Sequence, residues 1–256
     1  MRANIKFLFW ITSAAILGVG QPALADELMG PDATREMLLS YYRAHGGNTR
    51  VENLISLRFD GTITYPEREP ISFRLYKKRP KLMRYELELT RRKTLIMSAN
   101  LQGFQQQIRQ NREYLEPSAI EDSRQVEMLK MESTFDGYLW QLRSKNRTVE
   151  AYEVSEDGKL RSYHCDVYEY EPATGARGRR IASLWLNANT LYAEKRTVYL
   201  ENGSTITTEF KNYKKIGDLP FAHSIENFQG DALLATIKIE QVKINPGTLD
   251  LFYTLR

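Results

Sequence analysis

Three histidines and one cysteine are the residues of this chain best able to ligate a metal or move a proton, and their spacing favours neither role. A zinc site needs at least three converging ligands. Here His45, His164 and His223 stand far apart, with no His-Glu-x-x-His run and no second cysteine. His45 ends a helix-like segment, His164 lies mid-strand, and His223 follows Pro220 in a strand-like run. Cys165 falls within the strand-like run Tyr163 to Tyr170, where a lone thiol reads as a small buried apolar group rather than a nucleophile. No Gly-x-Ser-x-Gly elbow and no phosphate-cradling glycine loop occurs. Glu86 with Glu88, and Glu150 with Glu153, sit where strand alternation puts solvent rather than a cleft. No catalytic residue, no metal ligand and no cofactor is therefore expected, and the chain reads as non-enzymatic.

The compartment follows from residues 1–25. Arg2 and Lys6 form a positive start, Phe7 to Val19 is an apolar run, and Ala23-Leu24-Ala25 supplies the small residues of a cleavage site. A spanning helix would need roughly 20 apolar residues, whereas Gly18, Gly20, Gln21 and Pro22 break the run early. This predicts a cleaved secretory leader. Asp26 follows it, where a lipid-anchored bacterial protein would present cysteine, so residues 26–256 are expected to form one unanchored, monomeric domain.

The charge balance, 36 Lys plus Arg against 32 Asp plus Glu, is only mildly basic, and an exported protein is not expected to meet nucleic acid. Basic clusters at Arg74 to Lys81, Arg91 to Lys93 and Arg177 to Arg180 could touch anionic lipid headgroups. They read more simply as solvated strand edges and loop tips. With Cys165 alone, no intrachain disulfide can form, so stability must come from the core.

The elements that must carry this core are mostly strands. In Leu54 to Tyr65, Ile55, Leu57, Phe59, Ile63 and Tyr65 share one face while Ser56, Arg58, Asp60 and Thr62 share the other. The period-two pattern recurs at Ile71 to Leu75, Met83 to Leu89, Leu95 to Leu101, Val149 to Val154, Leu160 to Tyr170 and Ile181 to Leu186. It continues at Leu191 to Leu200, Thr205 to Tyr213, Phe221 to Phe228 and Leu234 to Ile244, for about eleven strands. Short turn-forming connections imply an antiparallel meander, and Asn202-Gly203 suits a type I′ hairpin. Near Gln241 the apolar positions change from odd (Ile237, Ile239) to even (Val242, Ile244), which predicts a bulge.

Two helices interrupt the pattern. The first is expected from Asp32, as N-cap after Pro31, to the pair Gly46-Gly47, with Met37, Tyr41 and Ala44 on its apolar side. The second is expected to begin at Ser118, in a capping box with Glu121, and to turn Ile120, Met128, Leu129, Met131 and Phe135 toward an apolar surface. A long meander with a single apolar face must curl. The fold class is therefore mainly β with a few helices, a single open and strongly curved antiparallel barrel lidded by helices.

Several segments resemble the bacterial outer-membrane lipoprotein-sorting family. These are Tyr41-Tyr42-Arg43-Ala44-His45-Gly46-Gly47 followed by Val51 to Gly61, then Asp136-Gly137-Tyr138-Leu139-Trp140, Leu184-Trp185-Leu186-Asn187, and the closing Val242-Lys243-Ile244-Asn245-Pro246. The resemblance implies the fold of the periplasmic carriers LolA and LolB, an incomplete barrel whose helices lid an apolar cavity for acyl chains. It also implies a periplasmic location, lipoprotein acyl chains or lipid as ligand, and a transport partner in the inner or outer membrane. The strand length added around Ser155 to Arg180 leaves the client open.

Strand parity alone names the cavity. Ile55, Leu57 and Phe59, then Phe73 and Leu75, then Met83, Tyr85 and Leu87, and then Met97 face inward. Met128, Met131 and Phe135 face them from the second helix. Methionine adapts equally to acyl chains and to gaps in a core, so both roles stay open for these four. Two function classes follow: a carrier for a lipidated or long-chain apolar ligand, and a sensor or interaction module that binds a membrane protein with the same fold.

Overall fold

The chain opens with a short strand and a helix whose start proline dictates. In the computed structural model, which describes residues 26–101, 103–133, 135, 137–140, 142, 146–170, 174 and 176–255, strand β1 (Asp26–Leu28) precedes helix α1 (Pro31–Ala44). The expected leader, residues 1–25, lies outside the described residues. Gly30 is the N-cap and Pro31 occupies the first helical turn, where its missing N–H costs nothing. Asp32 is thus inside the helix rather than its cap, and its charge favours the helix start electrostatically. Met37 and Tyr41, four residues apart, form the buried stripe. Gly46, at φ 88°, turns the chain, yet helical structure does not stop there, because helix α2 (Gly47–Glu52) follows. Arg79 satisfies the end of α2, its Nε donating to Leu54 O at 2.7 Å and its NH2 to Val51 O at 2.9 Å.

A first meander comes next: β2 (Ser56–Thr64), β3 (Ile71–Lys78), β4 (Leu82–Thr90), β5 (Lys93–Asn100) and β6 (Gly103–Gln110). The edge of β6 carries two short strands, β7 (Glu113–Tyr114) and β8 (Ser118–Ala119). Helix α3 (Ser123–Ser133) then leads to a second meander. This comprises β9 (Arg147–Glu156), β10 (Lys159–Tyr170), β11 (Arg177–Asn187), β12 (Ala193–Tyr199), β13 (Thr205–Ile216), β14 (Leu219–Gln229) and β15 (Ala232–Ile244).

The eleven expected runs correspond to β2–β5 and β9–β15, so the described sheet has fifteen strands rather than about eleven. Sequence periodicity misses β6 because glutamines occupy Gln105, Gln106 and Gln107, and it misses β1, β7 and β8 because two or three residues hold no period. The Ser118 capping box does not form, since Ser118 pairs with Gln106 across β6 and β8. Asp122 caps α3 instead, its Oδ1 accepting from the Gln125 N–H at 2.7 Å. The Asn202-Gly203 turn also differs. Only Gly203, at φ 81°, is left-handed, and Leu200 N–H bonds Ser204 O at 2.9 Å around a three-residue loop. Two strand connections have both residues at positive φ: Asp157-Gly158, which joins β9 to β10, and Asn111-Arg112, which joins β6 to β7.

Antiparallel pairing of β15 with β2 joins the meanders into one path, β1-β9-β10-β11-β12-β13-β14-β15-β2-β3-β4-β5-β6-β7, which does not close. The expected bulge is present, because Ile239 pairs with Gly61 while Gln241 pairs with Asp60. Gly61 is needed there, since a Cβ on it would lie 2.0 Å from Lys238 O. Asn245 fastens the end of β15 to the start of β2, its Oδ1 accepting from Ile55 N–H and Ser56 N–H at 2.8 and 3.0 Å.

Helices pack on one face of this sheet. Under α1, Cys165, Val167, Ala182, Leu184, Leu186 and Ile206 form one apolar cluster. Under α3, Phe73, Met83, Leu87, Leu95 and Met97 form a second. A third, around Leu54, Leu57, Leu219 and Val242, meets the second at Phe59 and Ile239. The other face is polar over β2–β4, where Arg74 reaches Asp60, Glu86 and Glu88, and Arg84 reaches Glu86 at 2.8 Å. After β15 the chain crosses that face as a 3-10 turn at Asp250–Tyr253, burying Tyr253 and placing its carbonyl 2.9 Å from Asn100 Nδ2. No described helix is long and apolar enough to cross a membrane.

Candidate apolar binding face

Pairing register places eight of the twelve expected lining residues in three rows across the helix-facing side of β2–β5. The central row runs Phe59, Leu75, Tyr85, Met97. One flanking row runs Leu57, Lys77, Met83, Ala99, and the other Gly61, Phe73, Leu87, Leu95. On the neighbouring strands Phe210, Ile225, Ile237 and Ile63 pair in succession and carry the apolar surface across β13, β14, β15 and β2. The surface is graded. Phe73, Met83, Leu87 and Met97 are buried, whereas Phe59, Leu75, Tyr85, Phe210, Ile225 and Ile237 are half-buried.

The remaining four residues divide. Ile55 precedes β2 and is 54% exposed, so it leaves the face that parity assigned it. The alternation in β2 begins only at Leu57, because Asn245 and Arg79 bind the backbone around Ile55 as a loop. Met128 is half-buried and belongs to no cluster, since Val126 and Leu129 are the α3 residues that meet the N-terminal meander. Met131 packs on the C-terminal cluster, and Phe135 on the third, beneath the Arg79 guanidinium at 4.7 Å. Helix α3 therefore meets two clusters, and Phe135, beyond its end at Ser133, reaches the third, so the expected single stripe on one surface does not form.

The expected hollow is occupied where the rows are deepest. Met83 has no exposed surface, and Phe73 and Leu87 are almost as closed, covered by the protein's own side chains. Two pockets open at the rim. One of about 140 Å³ lies among Arg50, Leu54, Leu219 and Ile244, and one of about 370 Å³ lies beside Tyr65–Glu69 and Leu233. None of the twelve expected residues lines either pocket.

A polar group sits inside this apolar setting, and sequence reasoning did not single it out. Lys77 lies on the inner face in line with Phe73 and Leu75, its ammonium 3.7 Å from Glu132 Oε2 on α3. Burial lowers the Lys77 pKa against the pull of Glu132. Tyr85 is pushed well above the usual phenol value, first by burial and then by Tyr65 and Glu132. Tyr138 is raised by burial, while Arg196 and Arg147 act the other way. Arg196 lies over Tyr138 and Phe210, at 6.0 and 5.4 Å from the ring centroids, and its NH2 donates to Thr208 Oγ1 at 3.3 Å. Its Nε is buried without a hydrogen-bond partner. The available signal was parity, because Lys77 falls on the odd, inward positions of β3 inside a run otherwise read as a basic surface cluster.

The histidines and cysteine remain dispersed. His45 Nδ1 lies 2.9 Å from Tyr41 O, His223 Nδ1 lies 2.7 Å from Ile239 O, and His164 stacks on Trp185 on the polar face. Cys165 is buried, and burial pushes its thiol up to about 12.

No family model and no curated protein matches the chain. Its fold matches solved structures along nearly its whole described length. A DUF1329 family protein from Desulfovibrio piger aligns at TM-score 0.53 and 11% identity, covering 86% of this chain and 96% of the other. A LolA superfamily protein from Nitrosomonas europaea aligns at 0.51 and 10%, covering 81% and 96%. A domain assigned to outer-membrane lipoprotein sorting, from Vibrio parahaemolyticus, aligns at 0.50 and 9%, covering 86% and 95%. The chain has a LolA-like fold, an open curved sheet with helices on one face.

Proposed function

We infer from the LolA-like fold that this chain is a non-enzymatic periplasmic carrier or binding protein for a lipidated or other long-chain apolar ligand. The observation that carries the reading is the apolar row Phe59–Leu75–Tyr85–Met97, continued by Ile237, Ile225 and Phe210, which is roofed by helices rather than by a second sheet. A helix can be lifted from a sheet face as a unit, because its backbone hydrogen bonds are internal. Acyl chains laid along the row would replace protein side chains as cover, at about 25 cal/mol per Å² of apolar surface removed from water. Helix α3 and helix α1 act as lids, and release requires only a partner that favours the open conformer. The test is to purify the protein under gentle conditions, extract it with organic solvent and look for lipid by mass spectrometry. A long-chain lipid near one per protein is the expected result.

The complete burial of Met83 favours a second reading, an interaction module whose barrel is filled by its own side chains and which binds a membrane protein. A reproducibly empty protein that captures neither lipid nor lipoprotein, yet retains a membrane protein on a column, would establish the module and end the carrier reading.

A further inference from the structure

Two cationic side chains, Lys77 and Arg196, stand on the inner face among apolar side chains. Lys77 projects from β3 between Leu57 and Met83, and Arg196 projects from β12 between Leu184 and Thr208. The carboxylate that meets Lys77 belongs to Glu132, whose side chain is 48% exposed while that of Lys77 is only 14% exposed. Their separation of 3.7 Å exceeds the roughly 2.7–2.9 Å of a well-made charge-assisted bond. Glu132, half-exposed on α3, therefore brings its carboxylate to the buried ammonium from the solvent side. Around it stand two phenols, Tyr85 and Tyr138, both influenced by its charge, and phenols donate hydrogen bonds to anions. The half-buried apolar row begins beside this group, with Tyr85 belonging to both.

We propose that the ligand is a single-chain fatty acid whose carboxylate replaces that of Glu132 beside Lys77 and Arg196, its tail lying along Tyr85, Leu75 and Phe59. The proposal rests on the carrier reading and names its ligand class. A carboxylate is favoured because a carboxylate occupies the position already, and Arg196 has an unmet buried N–H to offer it. Exchange of one carboxylate for another keeps the charge balance of the interior unchanged as α3 moves aside. That matters because an uncompensated buried charge is costly.

The experiment uses cis-parinaric acid and its methyl ester, which share a fluorescent chain and differ in charge, titrated into the delipidated full chain. The acid should bind at least tenfold more tightly than the ester. Lys77→Met should abolish the preference, so that acid and ester bind this variant equally, and far-UV circular dichroism checks its folding. Glu132→Gln, at a half-exposed position, should tighten the acid several-fold by removing its competitor. Equal affinity for acid and ester, or weaker acid binding by Glu132→Gln, would overturn the headgroup assignment while the carrier reading stood. Tighter binding of a matched lysophosphatidic acid in competition would also overturn it. Failure of both acid and ester to bind would remove the carrier reading itself.

Discussion

Cys165 is the residue a reader of the sequence would test first for reactivity, and its surroundings answer that test. It has no exposed surface, lying among Ala151, Val167, Ala182 and Leu184, and its thiol is driven up from its ordinary 9.0 to about 12 by burial. Tyr41 and Tyr213 are raised above the ordinary phenol value by the same cause. All three groups are neutral when protonated, so each folded-state value lies above its unfolded one. The stability they contribute is complete below about pH 9 and is lost as pH rises through the folded values. Thermal melts between pH 8 and pH 11 should show a falling midpoint, and Cys165→Ala should fall less steeply. Native protein at pH 8 should leave a thiol reagent unreacted until denaturant is added. Rapid labelling of the native thiol would mean that the cluster under α1 is open.

Among the elements, α3 shows how tertiary contacts choose a helix face. Its sequence offers Met128, Leu129 and Met131 in nearly adjacent positions, and hydrophobicity alone does not rank them. In the structure Leu129 is 5% exposed against Ile120, Phe73 and the β4–β5 pair, whereas Met128 stands at the edge. Leu129→Ala should therefore destabilise the protein by about 2–4 kcal/mol. Met128→Ala should cost about 0.5 kcal/mol or less in the same urea titration. Equal costs would return Met128 to the inner face. Strand β15 illustrates a case where the sequence alone sufficed. The odd-to-even change of its apolar positions marks a bulge, and the pairing with β2 skips a residue between Ile239 and Gln241.

At the scale of the whole molecule, the open path leaves two edges, and the protein treats them differently. The β6 edge is covered by fragments, β7 and β8, whereas the β9 edge is covered by β1, with Glu27 opposite Glu153 and Met29 N–H bonded to Ala151 O at 2.9 Å. An uncovered ten-residue strand such as β9 is a template for pairing with another chain. A variant starting at Pro31 should self-associate at micromolar concentration in sedimentation velocity, while the chain starting at Asp26 should not. A monodisperse truncated protein would show that β1 is dispensable as an edge guard.

The sequence by itself determined eleven of the fifteen described strands, because alternation is a local consequence of the pleat, readable in Leu57, Phe59, Phe73, Leu75, Met83 and Leu87 without knowing any partner. It determined the resemblance that the LolA-like fold then matched. Tertiary structure decided what no local period encodes. It set β15 beside β2, and it recruited the glutamine-rich β6 through backbone pairing with β5 and the packing of Phe104 and Ile108. It took Ile55 out of its face by binding the backbone at Asn245. Above all it placed Lys77, Glu132, Tyr138 and Arg196, which are 119 positions apart at their extremes, around one point of the inner face. Contacts across such separations exist only once the sheet has curled and α3 has crossed it, which is why an inward lysine could be read from parity but its partners could not.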